Sequence, residues 1–246
     1  TDLSPIQRIL VPPNCTFEID DFEAQWSYAT TATTDTPPLS NPTTCANTSA
    51  NDALNSDNPT NPVPTPAPTP ALFDFIHARE ITGSVQDYSN FFTQAYRHLA
   101  PGGYLEMQSM EMNFFSDDGT HERAVTAVKW QRSLVEASRR LGKEFCVERS
   151  WKEAMEKKGF VGVEEVVYKV PLSIWPKDPH MKELGRYQAM HLPEMLQSYS
   201  LALFTRVLEW RKEELDYLLK AVENDLTHSK SHLYTKVWVV YGRKGE

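Results

Sequence analysis

Apolar and polar positions follow two rhythms along this chain, and the switches between them mark its elements. From residue 71 onward the pattern predicts strand and helix by turns. Leu72 to Ile76 is a short apolar run holding one Asp, which predicts a buried strand. Tyr88, Phe91, Phe92, Ala95 and Leu99 then share one helical face, with Asp87 placed as an N-cap. Pro101-Gly102-Gly103 ends that helix and turns the chain into a second strand, Tyr104 to Gln108, glycine supplying the positive φ. Strand, amphipathic helix, turn and strand at this spacing form a βαβ unit, and hence a parallel sheet.

The same reading predicts a longer helix over Glu122 to Leu141. Ala127, Trp130, Leu134, Ala137 and Leu141 form its apolar stripe, and Gly142 stands where a terminator belongs. Trp151 to Lys158 is a short helix closed by Gly159. Val163 to Val170 and Leu233 to Tyr241 carry apolar residues on both faces, as central buried strands do. Between them Met181 to Asp225 reads as helical, with Pro193 at a helix start and a stripe of Leu215, Leu218, Leu219, Val222 and Leu226.

Residues 29–70 break the rhythm. They are rich in Thr, Asn, Ala and Pro, contain no Lys, Arg or Gly, and hold nine of the seventeen prolines. Proline disfavours helix and sheet alike, and so few apolar side chains cannot offset the entropy of ordering the backbone. The expected organisation is therefore a segment 1–28, a disordered insertion 29–70, and a folded core 71–246 with a helical cap at about 176–228.

Composition narrows the function. The net charge is −8, with acids spread along the chain, which speaks against nucleic acid as the main partner. Cys15, Cys45 and Cys146 have no CxxC spacing, so neither a disulfide framework nor a metal site is readable. No stretch approaches the ~20 apolar residues of a membrane span, and no signal peptide opens the chain. An intracellular protein, cytoplasmic or nuclear, is the expectation.

The most specific motifs are Phe73-Asp74-Phe75-Ile76-His77-Ala78-Arg79 and the run Leu99-Ala100-Pro101-Gly102-Gly103-Tyr104-Leu105-Glu106. To them add Val11-Pro12-Pro13-Asn14, Phe17-Glu18-Ile19-Asp20-Asp21, Ser116-Asp117-Asp118-Gly119-Thr120, and Tyr168 to Leu172 continuing to Trp175-Pro176-Lys177-Asp178. Thr1 to Gln7, Ser200 to Leu208 and Tyr241-Gly242-Arg243 complete the set. Together these resemble the fungal class I S-adenosylmethionine-dependent methyltransferases, the group that includes the velvet-complex methyltransferase-like regulators of secondary metabolism. The resemblance covers nearly everything outside residues 29–70.

It implies an α/β fold, a partial Rossmann-like class I methyltransferase sheet (strands three to seven) with a helical insert, and S-adenosyl-L-methionine as cofactor. In that fold the sheet order runs three, two, one, four, five, seven, six. Asp2 matches the acid that ends strand two and accepts hydrogen bonds from the ribose hydroxyls. Asp20, Asp21 and Phe22 match the end of strand three, beside the adenine. His77 to Arg79 match the end of strand four, which lines the cofactor and substrate side, with His77 a base or orienting group. Trp175 to Tyr199 would cap the substrate side. Asp117-Asp118-Gly119 lacks the further ligands of a calcium loop and reads as a turn.

Two departures qualify the resemblance. Nothing in the 246 residues matches the D-x-G-x-G-x-G loop whose backbone amides cradle the methionine end of the cofactor. The chain opens on Thr1-Asp2-Leu3, as though strands one and two were cut away, and residues 29–70 interrupt the join between strands three and four. Strand four is then expected to lack a neighbour on one edge, with Thr16 to Ile19 pairing there instead. Two functions stay open. One is a methyltransferase acting on an unknown methyl acceptor. The other is a non-catalytic regulatory protein working through protein partners, or a gene fragment retaining part of the fold.

Overall fold

The structure is a computed structural model, and it describes residues 14–15, 17, 20–28, 72–228 and 230–246. Asp2, the segment 29–70 and most of Thr16 to Ile19 lie outside the described residues; Phe17, which is described, is exposed. Residues 1–26 with 72–246 make one compact unit and 27–71 another. Every helix and strand named here belongs to the first.

The elements run β1 (Phe73–Arg79), α1 (Tyr88–His98), β2 (Leu99–Met110), α2 (Val125–Leu141), α3 (Trp151–Lys157), β3 (Phe160–Pro171), α4 (Pro179–Ala202), α5 (Lys212–His228) and β4 (Tyr234–Lys244). The four strands form one sheet in the order β1-β2-β4-β3. β1 and β2 are parallel across α1, as the βαβ spacing predicts, whereas β4 runs antiparallel to both its neighbours. The order reproduces the four-five-seven-six half of the expected sheet.

Helix α1 forms where the apolar stripe placed it. The Asp87 carboxylate accepts from the Asn90 amide at 2.9 Å and caps the first turn, as predicted. Phe91, Phe92 and Ala95 are buried against the sheet. The helix ends one residue before the expected Leu99, which already has extended geometry. Pro101-Gly102-Gly103 is thus not a free turn but an irregular stretch inside β2. The register jumps there from Phe73 opposite Leu99 to Phe75 opposite Tyr104. Gly102 has φ 79°, and a Cβ on Gly103 would lie 3.0 Å from the carbonyl oxygens of both Ala100 and Phe73. Glycine is required where two backbones approach so closely.

Three predictions of burial and placement are corrected. β3 is an edge strand among the described residues, not a central one; β1 is the other edge, as expected of strand four, but is not the buried strand its apolar run predicts. Most of their side chains are exposed or half-buried. Apolar residues on both faces of a strand report its composition, not its neighbours. In β2 the burial alternates instead: Leu105, Met107 and Ser109 are buried on one face, whereas Tyr104 and Glu106 lie on the opposite, more open side. Pro193 lies inside α4 and does not begin a helix. It removes one ladder donor, and the same helix passes into a π-type turn at Leu203–Val207.

One end of the sheet is different in kind. β1, β2 and β3 finish there and β4 begins there, as the pairs Arg79 with Gln108, Met110 with Val237 and Pro171 with Tyr234 require. Residues just beyond those ends, Met112, Leu172 and Leu233, enter the main hydrophobic cluster with Trp130, Phe204 and Val222. The helices α2, α4 and α5 therefore form a layer over the carboxyl ends of the forward strands, where ligands of open α/β sheets bind.

Candidate functional site

The end of β1 presents His77, Arg79 and Glu80 in succession. On the open face, His77 Nδ1 lies 3.1 Å from Glu106 Oε1, and Gln108 Nε2 donates to the same oxygen at 2.8 Å. The Phe75 ring stacks on His77 at 6.0 Å. His77 is thus oriented by a carboxylate through one ring nitrogen. Arg79 is exposed at the strand's last position.

Glu80 turns the chain away from the sheet with φ 53°, a left-handed conformation costing a non-glycine residue about 1–3 kcal/mol. The residue is exposed overall, but its carboxylate is tied to the end of β2. The Met110 amide donates to it at 3.2 Å and the Ser109 hydroxyl at 3.4 Å. Desolvation raises its pKa, against the lowering effect of those two donors and of Arg79.

Beneath Glu80 lies a buried polar cluster that periodicity could not reveal. Thr82 donates to Ser109 at 2.9 Å, and both are buried. Glu148, just ahead of α3, is fully buried with neither carboxylate oxygen hydrogen-bonded; the Tyr88 hydroxyl and the Trp151 indole N–H are likewise unsatisfied. Burial pushes the Glu148 carboxyl up to about 7 from an ordinary 4.5, and the charges of Glu111 and Glu80 add to that. The Thr82 hydroxyl lies close enough to oppose the shift without closing a hydrogen bond to either oxygen. Burial, reinforced by Glu148 and Glu111, pushes Cys146 to about 12, so it stays a thiol and is no nucleophile. Tyr88 and Tyr199 are also raised, chiefly by burial.

Glu111 is the satisfied member of the group. Its oxygens take the Arg149 guanidinium at 2.8 Å and the Trp238 indole N–H at 2.9 Å, tying the loop after β2 to α3's approach and to β4.

The Ser116–Thr120 motif is a turn, as expected. Asp118 Oδ1 accepts from the Ser116 and Thr120 hydroxyls and the Thr120 amide, and His232 Nδ1 lies 2.6 Å from its other oxygen. Those hydrogen bonds, Thr120 first, hold the Asp118 carboxyl well below the usual range. Asp117 accepts from Lys169 and Tyr234. The two acids clasp the loop after β2 to β3 and to the start of β4.

Asp20 and Asp21 are exposed in a turn of their own making. Asp20 Oδ1 accepts from the Asp21 amide at 2.8 Å, and Asp21 Oδ1 from the Glu23 amide at 3.0 Å. The Phe22 ring meets Phe91 edge-on at 6.3 Å, and Trp26 is buried on α1, its amide donating to Gln94 at 2.7 Å. Phe22 and Trp26 thereby anchor the segment beside α1.

Residues 2–165 match the protein family described as Methyltransferase domain. The chain belongs to that family. Among related methyltransferases, it is 28% identical over 243 residues to Methyltransferase pytC of Aspergillus terreus, covering 99% of this chain and 62% of that protein. It is 34% identical over 172 residues to the protein named Probable methyltransferase tdiE of Emericella nidulans, covering 70% and 54% of the two. It is 30% identical over 173 residues to Secondary metabolism regulator LAE1 of Cochliobolus heterostrophus, covering 70% and 56%. This methyltransferase domain thus spans somewhat over half the length of the curated relatives it matches. No helix among its described residues is long and apolar enough to cross a membrane.

The sulfonium cofactor of class I methyltransferases needs a cradle of bare backbone for its methionine end. The described residues do not fit that part of it. Gly103 is consumed by the close approach of β1 and β2, and a Cβ on Gly83 would strike the Phe145 ring at 2.2 Å.

Proposed function

We propose that the chain supplies the acceptor side of an S-adenosylmethionine-dependent methyl transfer. The observation that carries this reading is the end of the sheet: three forward strands stop together, under the α2–α4–α5 layer, beside a cluster of buried polar groups. Family membership supports the class of reaction, and the strand order supports the side on which it occurs. The methyl acceptor would enter under the layer that includes Trp175 to Tyr199. Asp2, Asp20, Asp21 and Phe22 would meet the adenosine end of the donor, with His77 and Arg79 bordering it. His77, already oriented by Glu106, is the residue we assign as an orienting base.

A second reading has its own support. Leu72 just before the outer strand and Phe75 on it are exposed, as are Tyr187 and Met190 on α4, and one relative is named a regulator. A non-catalytic protein acting through protein contacts would present such surfaces.

Backbone amide shifts on titration with S-adenosylhomocysteine separate the two. The acceptor-side reading expects weak, progressive shifts gathered at Asp20 to Phe22 and His77 to Arg79. Shifts that avoid both segments, or none at saturating ligand, would overturn it in favour of the second.

A further inference from the structure

We propose that two copies of this chain associate through the outer edge of β3, paired antiparallel about a two-fold axis at Val167, so that Glu165 of each copy faces Lys169 of the other. Among the described residues no strand pairs with that edge. Val167 and Tyr168 are exposed along it, and so is Val161 near its start. An open edge strand with exposed apolar side chains is a template for another strand. Its charges select which one.

The ladder fixes which backbone groups are free. The Leu172 amide donates to the Leu233 carbonyl at 3.1 Å, continuing the register that sets Pro171 opposite Tyr234. Hydrogen-bonded and non-hydrogen-bonded pairs alternate in an antiparallel ladder. Val170, Tyr168, Val166 and Glu164 therefore turn their N–H and C=O groups toward β4, whereas Lys169, Val167 and Glu165 turn theirs outward. Pro171, next in the outward set, has no N–H to leave unpaired. Across a two-fold, residues of the outward set must face one another. Centring on Val167 sets Val167 against its own counterpart and Glu165 against Lys169, each facing pair exchanging both backbone hydrogen bonds. Centring one residue either way sets Lys169 against Val163 or Val167, and leaves both charges unmatched.

The charge pattern is self-complementary about Val167. On one side stand Glu164 and Glu165; on the other, Lys169 lies directly opposite Lys236 of β4. Like charges directly opposite destabilise a sheet, and a carboxylate brought by the second copy relieves that. Lys236 rests on the Phe115 ring at 4.3 Å and Lys169 on the Tyr234 ring at 4.7 Å. Lys169 also donates to Asp117, which takes the Tyr234 hydroxyl as well, so Lys169 can reach Glu165 of the second copy without leaving Asp117 bare. Glu165, Val167 and Lys169 share one face of the strand, so the ion pairs flank the contact between the Val167 side chains; on the other face Tyr168 meets Val166. β1, the other edge, offers no such match. Its Asp74 and Arg79 stand an odd number of residues apart, and so on opposite faces. The pairing does not depend on methyl transfer, and either can fail alone.

The test is sedimentation velocity and amide exchange on the full chain, from about 10 µM to about 1 mM. So short an edge gives a small interface, and a monomer–dimer equilibrium within that range is expected. As the dimer fills, the Glu165, Val167 and Lys169 amides should gain protection, whereas those of Val166 and Tyr168, already bonded to β4, should not change. Glu165→Lys or Lys169→Glu alone sets like charges together and should weaken association by roughly tenfold. Mixed in equal amounts, the two variants restore the opposite-charge pairs and should associate about as tightly as the parent. A chain that stays monomeric at about 1 mM would overturn the proposal. So would new protection that falls on β1 instead, or association that both variants leave unchanged. Should Lys169→Glu disturb the sheet, seen as faster exchange at Val166 and Tyr168, the protection pattern of the parent chain decides alone.

Discussion

Replacing Trp130 by alanine is expected to destabilise the chain by about 3–5 kcal/mol, a large fraction of a domain's total stability. Trp130 is fully buried on α2, stacks on Phe114 at 5.9 Å, and its indole N–H donates to the Ser200 hydroxyl of α4 at 2.8 Å. It therefore joins two helices of the layer that covers the carboxyl ends of the strands. Alanine would leave a cavity and release α4 from α2. Trp130→Phe would fill much of the space but leave Ser200 without that partner, at roughly 1–3 kcal/mol. Urea midpoints at constant m-value would measure both, and a loss below about 1 kcal/mol for Trp130→Ala would mean that the layer is not held this way.

The Glu148→Gln variant should be more stable than the parent above neutral pH and no more stable in acid. Folding raises this carboxyl to about 7 from 4.5, so between those values the folded chain binds more protons than the unfolded one. Stability from this group is therefore fully retained below about pH 4.5 and is lost as pH rises through 7. The loss amounts to about 3 kcal/mol, from 1.4 kcal/mol for each pH unit of displacement. Glutamine keeps the volume and carries no charge to bury. Unfolding curves at about pH 5 and pH 8 for both chains would show it as a gap that opens only at the higher pH. A gap of equal size at both would assign the effect to packing.

The legible part of this fold was local. Asp87, the Phe91–Phe92–Ala95 stripe, Gly142 and the Pro-Gly-Gly run each act within a few residues of themselves, and each named its element. The strand order came from matched motifs, since no periodicity says which strand lies beside which. That gap explains the edge position of β3. The Val163, Val166, Val167 and Val170 run of β3 reads as central, yet Val167 and Tyr168 are exposed because among the described residues one side of β3 faces no strand.

Of the candidate site, the end of β1 could be reached from sequence because His77 and Arg79 sit in a motif. Glu80 directly follows that motif, and only its left-handed backbone distinguishes it. Glu148 had no signal at all. A single acid between Val147 and Arg149 looks like any solvated turn, and its burial depends on Tyr88, Thr82 and Trp151 converging from three separate segments.

Calorimetric titration of the 246-residue chain with S-adenosylmethionine, and with its demethylated product, tests the central claim most directly. If the chain supplies the acceptor side and the adenosine edge as proposed, with no backbone cradle for the methionine end among its described residues, it should bind either ligand with a Kd weaker than about 1 mM. A saturable micromolar Kd would contradict it.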